Sequence, residues 1–282
     1  MSSTPLHLLG AKLIRPCNAN ELPNETYIAF WRVIFAYLGV GVHENEYLIY
    51  SLRRYCKLFS KVCTPLKTNS YILYPHPTYN SLRTLINRLN TLSSIGKVIP
   101  IYLFIGKGTH DENGRSINIK ISISIFGAGQ NCCRIIGGMY MRGKTNNMVC
   151  VRDLMLTNSK GAGMYGDGAS FHLTNVRIKN SESCGIRVNG TKRNKMTNCE
   201  ISYSKRSGVW VFGGIVTISG GATRVHHNCR RGRCGDYGLE TNMRSCIYLE
   251  APLSKERISI QNWGRGNFGG KGVIKTIVGD KL

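Results

Sequence analysis

One phrase is written three times between Val149 and Ile218: Asp153-Leu-Met-Leu-Thr-Asn158, Asn175-Val-Arg-Ile-Lys-Asn180 and Asn198-Cys-Glu-Ile-Ser-Tyr203. Each is followed by a glycine that opens a second apolar alternation, at Gly163-Met164-Tyr165, Gly185-Ile186-Arg187-Val188 and Gly208-Val209-Trp210-Val211. The lead residues stand 22 and 23 positions apart, and so do the glycines. Two independent markers on one period mean copies of one unit stacked on each other, each burying the face that its neighbour leaves open.

A unit of this length with short period-two runs and no helical stripe predicts an all-β, right-handed parallel β-helix of three-strand coils, stacked at about 4.8 Å. Composition agrees: 32 glycines against 8 prolines suit many short strands joined by tight turns. Earlier strands are expected at Val98–Ile105, at Ile117–Ile125 with its unbroken alternation of isoleucines, and at Cys133–Ile136. After Ile218 the phrase recurs as Thr223-Arg224-Val225, a long turn from His226 to Cys234 swells the coil, and Cys246–Leu249 and Val273–Ile277 supply later strands. From 117 to 249 there is room for roughly six coils.

Period two also sorts the side chains. Leu154/Leu156, Val176/Ile178 and Cys199/Ile201 are expected inside, with Ile186/Val188 over Val209/Val211. The columns between them face outward: Met155, Arg177 and Glu200 on one strand, Tyr165, Arg187 and Trp210 on the next. Arg177, Glu200 and Arg224 align as a charge ladder.

The amino-terminal part reads differently. Residues 1–20 form a leader without periodicity. Residues 21–64 carry two helical stripes, one through Ile28, Trp31, Ile34, Phe35 and Leu38, the other through Leu52, Tyr55, Cys56, Phe59 and Val62. Residues 65–79 read as a linker, and 80–282 as a capping helix (Asn80–Leu92) followed by the parallel β-helix. The helix is apolar at Leu82, Leu85, Ile86 and Leu89, and is expected to cover the open first edge of the sheet.

The order Leu22-Pro23-x-Glu25, Ile34-Phe35-x-Tyr37-Leu38 and Ser51-Leu52-Arg53-Arg54-Tyr55-Cys56-Lys57-Leu58-Phe59 resembles an F-box motif. The resemblance implies docking on a Skp1-like protein, the linker subunit of cullin-type ubiquitin ligases, through Leu22, Pro23, Ile34, Phe35, Leu38, Leu52, Cys56 and Phe59. The alternative reading of the same stripes is a helical cap that seals the next domain.

Charge and cysteine usage bound the partners. The net charge is +23, of which residues 1–114 hold +6 (12 Lys/Arg against 6 Asp/Glu) and residues 115–282 hold +17 (26 against 9). Such a field favours an acidic or phosphorylated protein target, nucleic acid or an anionic polysaccharide. The target-binding residues expected are Tyr165, Arg177, Arg187, Trp210, Arg224, Arg230, Arg231 and Arg233. Eleven cysteines, several at positions where the repeat wants a small apolar residue, read as reduced thiols in a core, hence an intracellular, cytoplasmic or nuclear setting. Nothing in Met1–Gly10 resembles a signal peptide, and no run is long enough for a membrane span.

The β-helix wording resembles pectate-lyase-like proteins, in which catalysis needs clustered acids. Among the acids of the carboxyl-terminal part no two are neighbours in sequence, so no catalytic residue is assigned and the chain is expected not to be an enzyme. His226, His227, Cys229 and Cys234 can all ligate zinc, but their spacing is not that of a structural site and Arg230, Arg231 and Arg233 repel a cation, so neither metal nor cofactor is expected. An F-box-like segment before a β-helix resembles substrate adaptors of Skp1-cullin ubiquitin ligases, with the basic coils as target surface. The alternatives are a carbohydrate-binding or carbohydrate-active β-helix for an acidic polysaccharide, and a structural or host-interaction protein of a large DNA virus, whose genomes commonly carry modules worded like Gly264–Gly272.

Overall fold

The computed structural model describes residues 71–231 and 235–278. The expected leader, the F-box-like segment with its Skp1-facing residues, and Arg233 and Cys234 lie outside the described residues. The described chain is an all-parallel β-solenoid of about 8 turns with few helices.

Every strand pairing is parallel, and the pairings follow three ladders. The first stacks β1 (Tyr71–Tyr74), β2 (Tyr102–Ile105), β4 (Ile123–Gly127), the first halves of β6 (Met148–Thr157) and β8 (Ser170–Lys179), β10 (Asn194–Thr197), β13 (Ile215–Ser219), β16 (Cys246–Glu250) and β19 (Val273–Ile277). The second runs through β3 (Gly108–Ile119), β5 (Cys133–Met141), the second halves of β6 and β8, β11 (Glu200–Ser202), β14 (Arg224–His226) and β17 (Ser259–Ile260). The third takes the later halves of β3 and β5, then β7 (Met164–Asp167), β9 (Ile186–Asn189), β12 (Val209–Phe212), β15 (Tyr237–Asn242) and β18 (Gly266–Gly270).

The register stacks like on like. In the first ladder Leu103, Ile125, Val151, Leu173, Met196, Ile218 and Leu249 form one interior column, all essentially inaccessible. Each such side chain contributes about 1.5–3 kcal/mol by leaving water. The columns anticipated from the repeat are present as pairs: Leu154 with Val176, Leu156 with Ile178, Ile178 with Ile201, Ile186 with Val209 and Val188 with Val211.

The repeated phrase is a strand of the second ladder with a left-handed residue at each end. Asp153, Asn175 and Asn198 open it at φ 53°, 53° and 52°, and Asn158, Asn180 and Tyr203 close it at φ 52°, 56° and 60°. Asn and Asp tolerate this region better than other residues with a side chain, which is why the phrase begins and mostly ends on them. The following glycine marks the next corner: a Cβ on Gly185 would meet the Ile201 side chain and stand 2.7 Å from the carbonyl oxygen of Gly208.

Helix α1 (Leu82–Ser94) is capped by Ser81, whose hydroxyl accepts from the Thr84 N–H at 3.1 Å, and it buries Leu82, Leu85, Ile86 and Leu89 as its periodicity requires. It lies on β3, which has no preceding strand in its own ladder among the described residues. Asn90 donates to the Asn118 carbonyl at 2.7 Å and accepts from the Lys120 N–H at 3.0 Å, so one side chain supplies the hydrogen bonds that a neighbouring strand would make. Helix α2 (Lys255–Ile258) is a single turn before β17.

Several expectations need correction. The alternation from Ile117 to Ile125 is two strands, because the chain turns a corner after Ile119 and every second isoleucine still points inward on both sides of it. The strand expected from Ile117 begins earlier, at Gly108, and the alternation of the polar run Gly108–Ser116 buries His110 and Glu112 in place of apolar side chains. Within the stretch read as a linker, Tyr71–Tyr74 forms β1 and pairs with β2. Met155 is buried although its column faces outward; its register partners on either side are the long side chains of Arg134 and Arg177.

Candidate functional site

The third ladder carries an outward column in which Tyr140, Tyr165, Arg187, Trp210 and Glu240 are successive register partners. Strand alternation sends all of them out of the core, and parallel stacking sets them one strand spacing apart. The rings of Tyr140 and Tyr165 stack at 4.5 Å and 11°. The Arg187 guanidinium then lies 4.7 Å from the Tyr165 ring centre and 4.6 Å from that of Trp210. Arg142 stands 5.7 Å from the Tyr140 ring centre and Arg206 5.8 Å from that of Trp210. The result is a stack of planar groups in which two tyrosine rings lie on each other and one guanidinium lies between two rings, each cation–ring contact adding about 0.5–1 kcal/mol where exposed.

Because the faces are occupied by one another, a ligand meets the edges. Arginine presents its N–H groups in a rigid fork along that edge, a match for a carboxylate or sulfate. The Nε of Arg187 and the indole Nε1 of Trp210 are buried with no hydrogen-bond partner among the described residues. Beside the stack, Tyr140 donates to Asp167 Oδ2 at 2.7 Å and Asn189 donates to Asp167 Oδ1 at 3.2 Å. Burial and that carboxylate push the Tyr140 hydroxyl up to about 12.

Two acids four residues apart take their partners from about thirty residues earlier in the chain. Asp236 and Glu240 are both buried and sit against consecutive residues of the previous coil: Arg206 Nε is 3.3 Å from Asp236 Oδ1, and the Ser207 hydroxyl donates to Glu240. Asn242 also donates to Glu240 at 2.8 Å. Burial raises the Glu240 carboxyl above the ordinary range, against the Ser207 bond that lowers it, and the Asp236 charge adds to the rise. The two residues are 3% and 7% exposed.

Of the residues expected to contact a target, Tyr165, Arg187 and Trp210 come together on the third ladder, while Arg177 and Arg224 lie on the second. There Glu200 is bound by Arg177 and Lys179, each at 2.8 Å, and His226 Nε2 is 3.5 Å away. The expected bond from Arg224 to Glu200 is replaced: Arg224 is exposed and turns to the carbonyls of Gly221 (2.9 Å) and Thr223 (2.7 Å), leaving the carboxylate to Lys179 and His226. The hydrogen bond from His226, opposed by burial and helped by Lys179 and Arg177, holds the Glu200 carboxyl far below the usual range. Arg230 and Arg231 stand exposed on the following corner. Tyr140, Arg142 and Arg206 were missed because they precede the repeat or sit in its corners; the spacing of Tyr140 from Tyr165 is 25 residues, longer than the period.

The ligating types near 226–229 do not assemble. His226 and His227 face each other, and Cys229 is a buried thiol that burial pushes up to about 12. Among the described residues no group of three or more His, Cys, Asp or Glu is placed to hold a metal ion. Cys133 and Cys199 are likewise held near 12 and Cys184 near 11 by burial, and the described cysteines are free thiols. No described helix is long and apolar enough to cross a membrane.

No protein-family model matches the sequence, and no curated protein matches it. Among solved structures the chain is similar to the crystal structure of the Agl-KA catalytic domain, with 16% identity and a TM-score of 0.39 over 71% of this chain. The match spans 46% of that domain's length.

Proposed function

We propose that the solenoid is a non-catalytic recognition protein for an anionic polysaccharide, bound along the third ladder. The observation that carries the reading is Arg187 held between the Tyr165 and Trp210 rings. A guanidinium fixed in this way is ordered before the ligand arrives, and an extended chain of uronates or sulfated sugars offers it a planar acid together with hydroxyls for the neighbouring Asp167 and Asn189. The +17 charge on residues 115–282 adds long-range attraction for a polyanion. Nucleic-acid bases are the poorer fit, since they need open ring faces and these are taken within the stack. Three strands per coil, a period near 22 residues and a right-handed wind belong to the same reading; parallel crossovers are right-handed in about 98% of cases.

The test is retention of the full chain on immobilised polygalacturonate or alginate at low salt, with a neutral glucan as control and reducing-end release measured in parallel. Retention with no release supports the reading. Equal behaviour on the neutral matrix ends it, and release of fragments would make the chain an enzyme. The adaptor reading rests on Leu22 to Phe59, outside the described residues, and is tested by a pull-down with Skp1 against a Leu22/Pro23 double alanine variant.

A further inference from the structure

The third ladder carries its charges in a fixed order. Arg142 follows β5, Asp167 ends β7 and Arg187 stands in β9, so a cation, an acid and a cation lie on three successive coils. Tyr140, Tyr165 and Arg187 are register partners through those strands, which sets the two arginine-bearing coils two strand spacings apart, about 10 Å along the stack. Arg142 is exposed, and its guanidinium lies 5.7 Å from the Tyr140 ring centre, as that of Arg187 lies 4.7 Å from the Tyr165 ring centre.

What each group has left to bind differs. Among the described residues neither Arg142 nor Arg187 has a carboxylate partner, so both can take an anion. Arg206, the next cation along, is already bound to Asp236 at 3.3 Å. Asp167 accepts one bond on each oxygen, from Tyr140 and from Asn189. A carboxylate has about four acceptor sites, so lone pairs remain for further donors. A second carboxylate at that coil would meet a like charge, whereas a hydroxyl or an amide N–H would be bound.

A sugar ring in an extended chain advances by a length close to the strand spacing, so a polymer laid along the axis sets successive sugars on successive coils. We propose, resting on the polysaccharide reading above, that the column selects a polymer in which anionic and neutral sugars alternate. Arg142 and Arg187 take the two acids, and Asp167 takes the hydroxyl or amide donors of the neutral sugar between them. Asp167 is then the residue that sets specificity, by repelling a carboxylate at the middle position. General electrostatics gives the opposite order, because a uronate homopolymer carries more charge per length and a diffuse basic surface follows charge density.

Calorimetry of the full chain with oligosaccharides of matched length tests this, one set cut from hyaluronate, in which glucuronate alternates with N-acetylglucosamine, the other from polygalacturonate. The alternating chain is expected to bind tighter by on the order of tenfold, and the difference to collapse in Asp167→Asn because the homopolymer gains. Equal affinities, a preference for polygalacturonate, or an unchanged preference in the variant would overturn the alternation and leave the column a polysaccharide site. Binding of neither ends both readings. Asparagine can still accept from Asn189 and donate to the Tyr140 hydroxyl, so the end of β7 is kept. If Asp167→Asn does not fold, Arg142→Ala takes its place, and a preference for the alternating chain that survives it sinks the proposal.

Discussion

Asn175 donates its side-chain amide to Asp153 Oδ1 at 3.0 Å, and both residues stand in left-handed backbone at φ 53°. The bond ties one corner of the solenoid to the same corner of the next coil. Asn175→Val loses it and forces a β-branched residue into that region, a cost of about 1–3 kcal/mol. Asn175→Gly removes the bond alone, at about 0.5–1.5 kcal/mol. Urea denaturation should rank the two variants in that order, and equal losses would mean that the backbone conformation is not what selects asparagine.

Gly185 answers to space. A methyl group there would stand 2.7 Å from the Gly208 carbonyl oxygen and 2.9 Å from the Ser204 hydroxyl. Gly185→Ala should lower stability by about 1–3 kcal/mol, as overpacking of a tight interior does. Gly190 has nothing within 4 Å of such a group, but its φ of 70° is strained for any side chain, so Gly190→Ala reports the conformational cost separately from the crowding. Thermal denaturation of both variants distinguishes them.

Two glutamates give opposite pH signatures. Glu200 is held below the ordinary carboxyl value of 4.5 by His226, Lys179 and Arg177, so it stabilises the fold above that value, and the contribution is lost as pH falls below it. Glu112 accepts from the Leu82 N–H at 2.8 Å, but burial raises its carboxyl above 4.5. Its folded state binds the proton more tightly than the unfolded one, so its contribution is full below 4.5 and declines as pH rises through the raised value. Glu200→Gln should flatten the acid side of a stability profile and Glu112→Gln the side above it, measured by denaturant titration across about pH 3 to 7.

The binding proposal makes its own demand on Arg187. Arg187→Lys keeps the charge but loses the planar fork, so both it and Arg187→Ala should weaken binding to polygalacturonate, by on the order of tenfold. A lysine variant that binds as well as the wild type would reduce the column to a general electrostatic surface. Calorimetry at two salt concentrations separates these outcomes, since exposed charge alone is screened.

Much of the solenoid was legible in advance because its signals are local and repeat. The phrase ends mark left-handed corners, the glycines mark close approach, and alternation gives the interior columns. The sequence also pointed to Arg187 between Tyr165 and Trp210, since register follows once the copies are aligned. What it hid lies where the copies differ. Corners do not interrupt alternation, so the split between Ile119 and Ile123 left no trace. Asp236 and Glu240 meet through Arg206 and Ser207, about thirty residues away in the previous coil. Arg224 turned from its register partner because long side chains choose among nearby acceptors, and the carbonyls of Gly221 and Thr223 were closer at hand.

The side chain of Asn90 has a consequence for association. A parallel stack is a template: its rim offers a row of donors and acceptors to any passing strand, including one from another molecule. At Asn118 and Lys120 that invitation is withdrawn, because both backbone groups are already engaged by a helix that has no free edge to pass on. Asn90→Ala should therefore leave the fold in place yet give β3 back its power to recruit, and the variant would show itself in concentration-dependent polymerisation more than in lost stability.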